Sequence, residues 1–317
     1  MTEINRRSLL ATAALAAPAL LLGAKAARAA AKGTFHIGYQ KSSVTLVLAK
    51  AKGVIEAKLA PLGWDVNWAE FTSGPPMLEA LAAGAVNFAF TGEPPVIFAQ
   101  AANTDIVYVA AANPSPRAIG ILKPAGSTLA SVAALKGKTV AVAKGSSAHY
   151  LLVSALAHAG VKYQDVNKVF LQPADARAAF SSGAVDAWSI WDPFYAGAQA
   201  AGGVLLTDGT GLMPNRAFYT AGRGFAQAHP DVLNAAIEVL NDLETWEQTH
   251  QAETASAIAP SIGLPVPVLD AWFGRQKYGV HKLTPEIFAD QQKIADAFFT
   301  LGLIPQQINV SADAWNG

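Results

Sequence analysis

Again and again in this chain a short apolar run stops at a cluster of small polar residues and passes straight into helical periodicity. The plainest case is Lys138-Thr139-Val140-Ala141-Val142-Ala143-Lys144-Gly145-Ser146-Ser147-Ala148-His149-Tyr150-Leu151-Leu152. Its first half is apolar and β-branched, and its second half spaces apolar residues at helical intervals. The stretch therefore reads as a buried strand, a tight Gly-Ser-Ser turn and a helix. A helix start leaves backbone N–H groups without partners and carries about half a positive charge, so such a turn is an anion socket when a glycine lets the backbone come close. At one isolated turn the serines simply cap their own helix. Recurrence of the same junction turns a capping motif into a constraint on the whole fold.

The junction recurs at Gln40-Lys41-Ser42-Ser43, Thr72-Ser73-Gly74-Pro75-Pro76, Thr91-Gly92-Glu93-Pro94-Pro95, Pro173-Ala174-Asp175 and Trp191-Asp192-Pro193. Strands are expected over 34–39, 66–71, 86–90, 106–110, 118–122, 138–142, 169–171, 185–190 and 205–208. A single amphipathic helix is expected from Val44 to Leu59 on the spacing of Val44, Val47, Leu48, Ala51, Ile55 and Leu59, and a short one over 129–135. Turn residues Asn113-Pro114-Ser115-Pro116-Arg117 mark a crossover, and 218–222 marks the return. After it the chain is helical. Strands alternating with helices in two comparable halves imply an α/β protein with two doubly wound lobes around a cleft, residues 30–117 and 221–317 forming lobe I and 118–220 lobe II. Ligands of such sheets sit beyond the carboxyl ends of the strands, where the polar junctions fall.

The first 29 residues read as an export signal: Arg6-Arg7, an uncharged run to Ala24, then Ala27-Arg28-Ala29 as a cleavage site. The paired arginines point to the twin-arginine route, with general secretion as the alternative. The whole chain has 23 basic and 23 acidic residues; losing Arg6, Arg7, Lys25, Arg28 and Glu3 leaves the mature part at about −3. Nothing in that balance favours nucleic acid, and no later apolar stretch has the ~20 residues of a membrane helix. With no cysteine there is no disulfide, thiol nucleophile or lipid-anchoring cysteine, and six scattered histidines give no metal-ligand spacing. No cofactor or metal is expected, and the mature chain is expected to be soluble.

Ile37-Gly38-Tyr39-Gln40-Lys41, Pro76-Met77-Leu78-Glu79-Ala80-Leu81, residues 97–102, Lys144-Gly145-Ser146-Ser147, residues 173–180 and 186–193 together resemble the aliphatic sulfonate-binding proteins of bacterial ABC importers. The resemblance covers nearly the whole mature chain and is closer than that to the related taurine, nitrate and thiamine-precursor binders. It implies a type II periplasmic binding fold, a monomer that closes on a small anion in the periplasm and delivers it to a membrane permease with its cytoplasmic ATPase. It also implies that the sulfonate is held by helix starts. By position the ligand-facing residues are Gln40, Ser42, Ser43, Ser73, Gly74, Thr91, Gly92, Glu93, Ser146, Ser147, His149, Trp191 and Asp192. Where sulfonate binders commonly have Thr-Gly-Asp, this chain has Thr91-Gly92-Glu93.

Other readings stand beside these assignments. Asp192 is placed equally well to cap the helix after Pro193, or to stand in the cleft and receive a ligand amine or hydroxyl. Trp188 and Trp191 are core aromatics or, for Trp191, a wall for an alkyl or aryl tail. Glu93 also suits a first helical turn by its charge alone. Arg117, Arg177 and Arg223 are left outside the site. The same fold also hosts a desulfinase and a thiamine-pyrimidine synthase, but the thiol such a desulfinase relies on is absent, and no Ser-His-Asp order or carboxylate pair replaces it.

Overall fold

The computed structural model describes residues 31–317, so the expected export signal and its cleavage after Ala29 lie outside the described residues. The first run is β1 (Gly33–Tyr39), α1 (Val44–Lys52), α2 (Val54–Leu59), β2 (Trp64–Glu70), α3 (Gly74–Ala82), β3 (Phe88–Gly92), α4 (Glu93–Ala101) and β4 (Ile106–Ala112). The second is β5 (Ile119–Lys123), β6 (Thr139–Val142), α5 (Ser147–His158), β7 (Asn167–Phe170), α6 (Pro173–Ser181), β8 (Ala187–Trp191), α7 (Phe194–Ala200) and β9 (Val204–Asp208). The chain then returns through β10 (Ala217–Gly222) to α8 (Arg223–Ala228), α9 (Pro230–Glu247), α10 (Gln251–Ile262), α11 (Val266–Phe273), β11 (Val280–His281) and α12 (Pro285–Thr300).

These strands make two sheets. The first has the order β11-β4-β10-β3-β1-β2 and the second β7-β6-β8-β5-β9. In the first, β1 is parallel to β2 and β3, while β10 lies antiparallel between β3 and β4. In the second, β6 is parallel to β7 and β8, and β5 runs antiparallel between β8 and β9. Each sheet carries its own apolar core, with Phe35, Ile37, Phe88 and Tyr219 in the first and Ile121, Val140, Trp188 and Ile190 in the second. A further apolar cluster joins Ile97 and Ala101 of α4, Ile294 and Phe298 of α12, and Val153 of α5, so helices of the two halves pack directly on each other.

Several boundaries differ from the sequence reading for local reasons. The helix expected to run unbroken from Val44 is cut at Gly53, whose left-handed φ of 64° lets its N–H close the end of α1 on Ala49 and Lys50. The segment 129–135 makes only a single tight turn over Val132–Leu135. The return crossover also comes earlier than expected: β10 already pairs with β3 from Ala217, so residues 217–220 belong to the first sheet and not to lobe II. A strand's hydrogen-bond partners decide its lobe, and those partners are distant in sequence.

Candidate functional site

The N-termini of α1, α3, α4 and α5 converge on one cleft between the two sheets, and Ser42, Gly74, Thr91, Gly92, Ser146 and Ser147 all line it. Gln40, Trp191 and Asp192 complete the expected residues found in its wall. Each helix start presents backbone N–H groups with no partner inside its own helix. Two of the glycines are there for space. A Cβ on Gly74 would fall 2.1 Å from Thr91 Oγ1, and one on Gly92 would fall 2.0 Å from Ser147 Oγ, which lies in the opposite lobe. Gly145 has φ of +72°, the left-handed turn that swings the chain from β6 into α5.

The hydroxyls in the cleft differ in what they have left to give. Ser146 caps α5: its Oγ accepts from His149 N–H at 3.3 Å and donates to Ala143 O at 2.7 Å. Thr91 Oγ1, fully buried, has no partner within the protein. Gln40 Nε2 donates to Phe90 O at 3.3 Å, which holds the amide against β3.

Four of the expected residues stand outside the cleft lining. Ser73 Oγ donates to Gln172 Oε1 at 2.9 Å, so it ties the start of α3 to the second lobe. Ser43 is buried beneath the start of α1 and faces a smaller chamber lined also by Thr45, Glu244 and Tyr278. His149 is wholly buried; its Nδ1 accepts from Gly145 N–H at 3.2 Å and its Nε2 meets Tyr163 Oη at 2.6 Å. That pattern places the imidazole proton on Nε2 and makes His149 a brace for the Gly145 turn. Burial pushes its pKa down to about 4, helped by the charges of Lys144 and Lys168. Glu93 is buried at the head of α4, and desolvation raises its carboxyl to about 8 against the opposing pull of the Arg216 backbone bond and charge.

Asp192 caps the start of α7, its Oδ1 accepting from the first-turn N–H of Ala196, and it does not stand free in the cleft. Arg275 grips it with two bonds, Nε to Oδ2 at 2.9 Å and Nη2 to Oδ1 at 2.8 Å, and Ala196 N–H adds a third at 2.9 Å. Burial raises the Asp192 pKa above the ordinary carboxylate range, and the Arg275 bonds and charge, with the Ala196 bond, oppose that rise.

Sequence reading missed Asn113, Ser115, Asn215, Arg216, Trp272 and Gln276, which also line the cleft. The available signal was the crossover itself, because polar turn residues joining two lobes border whatever lies between them. Asn215 Nδ2 donates to Ser115 O at 2.7 Å and Ser115 N–H donates to Asn215 O at 3.1 Å, so the two crossover segments clasp each other beside the cleft. Arg216 is the only cation among the described lining residues, and its Nη1 donates to Ala112 O at 3.1 Å. Arg117 and Arg177 are exposed, and Arg223 pairs with Asp105 and Asp313. Among the described residues no group of three or more His, Cys, Asp or Glu side chains is placed to hold a metal ion.

Two α/β lobes with crossover segments and a cleft floored by helix starts define the periplasmic binding protein fold. Residues 29–242 match the family model described as NMT1/THI5 like, and the chain belongs to that family. It is 39% identical over 282 residues to an aliphatic sulfonates-binding protein of Escherichia coli (strain K12), covering 88% of each chain. A Bacillus subtilis (strain 168) protein of the same description is 34% identical, over 87% of this chain and 83% of that one. The alkanesulfonate-binding protein SsuA from Xanthomonas axonopodis pv. citri, solved bound to MOPS, superposes with a TM-score of 0.87 at 37% identity, covering 90% of this chain and 99% of that one.

Proposed function

We propose that this chain is the exported solute-binding component of an ABC importer, capturing aliphatic sulfonates in the interlobe cleft and handing them to a membrane permease driven by a cytoplasmic ATPase. The observation that carries the reading is the convergence of four helix starts on one cleft, together with the unpartnered Thr91 hydroxyl. A sulfonate is a compact monoanion with three equivalent oxygens that stays ionised at any physiological pH. It needs several donors spread around it more than it needs a matching cation. The aromatic side of the cleft, Phe90, Trp191 and Trp272, suits an apolar tail. The aliphatic sulfonates named for the relatives are the ligand class that this donor set fits.

On this reading the cleft residues bind and do no chemistry. The chain has no cysteine to act as a nucleophile, and its buried histidine is committed to the turn it braces. The mature protein works in the periplasm as a soluble monomer without a lipid anchor, a cofactor or a nucleic-acid partner. A thermal-shift panel tests the assignment, because a ligand that binds only the folded state raises apparent stability. Alkanesulfonates are expected to raise the melting temperature more than sulfate, nitrate or pyrimidine precursors at equal concentration. A larger shift with nitrate or a pyrimidine, or sulfite released from an incubated sulfonate, overturns it.

A further inference from the structure

A carboxylate in the wall of an anion-binding cleft is an electrostatic contradiction, and Asp192 is such a carboxylate, its side chain only 1% exposed. Arg275, just beyond α11, removes the contradiction. Besides the two bonds to Asp192, its Nη1 donates to Gln199 Oε1 at 3.1 Å and its guanidinium lies 4.2 Å above the ring of Tyr195. Both Asp192 oxygens are thereby occupied, Oδ1 twice. The neighbouring charges that reach Tyr195, Asp208 and Arg117, are opposite in sign and make no bond to the pair. Leu264, ahead of α11, packs close to Gly197 of α7, so the segment bearing Arg275, whose Leu269, Trp272 and Phe273 belong to the first core, reaches across onto the lobe that carries Asp192. Trp272 and Gln276, flanking Arg275 on the same stretch, line the cleft themselves.

We propose that Arg275 is a specificity-determining residue of the cleft: by occupying Asp192 it turns a receptor for cations into a neutral wall and makes the site prefer plain sulfonates over sulfonates bearing an amine. The inference rests on the sulfonate reading and goes beyond it by naming what excludes a zwitterion. Discrimination of this kind works by denying the competitor a partner, because the ligand ammonium must shed its water without finding a free carboxylate.

Ethanesulfonate and taurine test it, since they share a two-carbon sulfonate and differ by one ammonium group. Calorimetry on the full chain is expected to give tighter binding of ethanesulfonate. In Arg275→Gln the uncovered carboxylate repels the anion and attracts the ammonium, and the affinity ratio moves by at least about tenfold toward taurine. The double variant Asp192→Asn with Arg275→Gln removes both charges and returns the ratio to within about threefold of the parent, a rescue that a merely structural role would not produce. Asp192→Asn alone frees the guanidinium and moves the ratio further toward ethanesulfonate. A folded Arg275→Gln with an unchanged ratio overturns the proposal, as does a double variant that keeps the shift. If Arg275→Gln does not fold, the other two variants decide: an unmoved ratio in Asp192→Asn, or a double variant favouring taurine, overturns it. A parent protein that prefers taurine overturns this inference and leaves the sulfonate reading standing, whereas one that binds neither ligand overturns both.

Discussion

Thr91 is buried to the tip of its hydroxyl, yet Oγ1 has no partner in the protein, and a buried group left so costs roughly 1–3 kcal/mol. On the proposed reading a sulfonate oxygen would accept from Oγ1 and offset that cost, a bond to a charged partner contributing about 1.5–3 kcal/mol net. Thr91→Val, which keeps the shape and loses the hydroxyl, is therefore expected to weaken alkanesulfonate binding by roughly 10- to 150-fold, with similar losses for short and long tails. Calorimetry with methanesulfonate and hexanesulfonate checks it; a loss confined to the longer ligand contradicts a headgroup role. Ser146 is a different kind of residue, because its hydroxyl already serves Ala143 and His149. Its replacement by alanine is expected to act mainly through the cap of α5, at about 1 kcal/mol of stability. Away from the cleft, Glu247 is wholly buried, and burial pushes its carboxyl up to about 8, with Thr45 opposing and Glu244 reinforcing the shift. A folded pKa raised above the ordinary 4.5 means that the folded chain keeps a proton which the unfolded chain releases. Stability from this group is complete below about 4.5 and is lost as the pH rises through 8. Glu93 acts in the same direction. Glu247→Gln is therefore expected to lose less stability than the parent between pH 5 and pH 8.5 in urea melts, and an equal loss speaks against the assignment.

At the scale of elements, the junctions were legible because strand, turn and helix signals sit next to each other in the sequence. The apolar run of β6, the left-handed Gly145 and the serine cap of α5 are read within ten residues. Less legible was how far each strand continues: β3 runs on through Thr91 and Gly92 because β10 pairs with it there, and β8 runs through Trp191 because β5 does. The closeness of the two helix starts across the cleft gives a sharp test. A methyl on Gly92 would sit within 2.0 Å of Ser147 Oγ, so Gly92→Ala is expected to hold the starts of α4 and α5 apart and weaken binding at least about tenfold while each lobe stays folded. Circular dichroism with calorimetry checks both halves of that statement. Wild-type affinity in folded Gly92→Ala removes the claim that the two starts must meet. An extra residue inserted between Gly145 and Ser147 is expected to abolish binding, since it displaces several N–H groups together and breaks the His149 brace.

In the whole molecule the two lobes meet through Ser73 and Gln172, through Arg275 and Asp192, and through the apolar cluster around Ile97, Val153 and Phe298. The crossover segments, clasped at Ser115 and Asn215, form the connection about which the lobes are expected to rotate if the cleft opens to admit ligand. Small-angle scattering is expected to give a larger radius of gyration without ligand than with saturating alkanesulfonate; equal values, with binding established separately, exclude such a motion. The sequence by itself determined the alternating α/β order, the polar junctions and the apolar faces of two cores, because these depend on residues within about one helical turn or one strand of each other. Tertiary structure decided which junction residues reach the cleft. Ser43 and Ser73 carry the same hydroxyl as Ser42, Thr91 and Ser147, and Glu93 and His149 sit at the same polar junctions, yet all four point into the core or across to a neighbour. It also decided the state of Asp192, whose partner Arg275 stands 83 residues away. A side chain's direction and its charge partner are fixed by elements distant in the chain, and no local pattern records them.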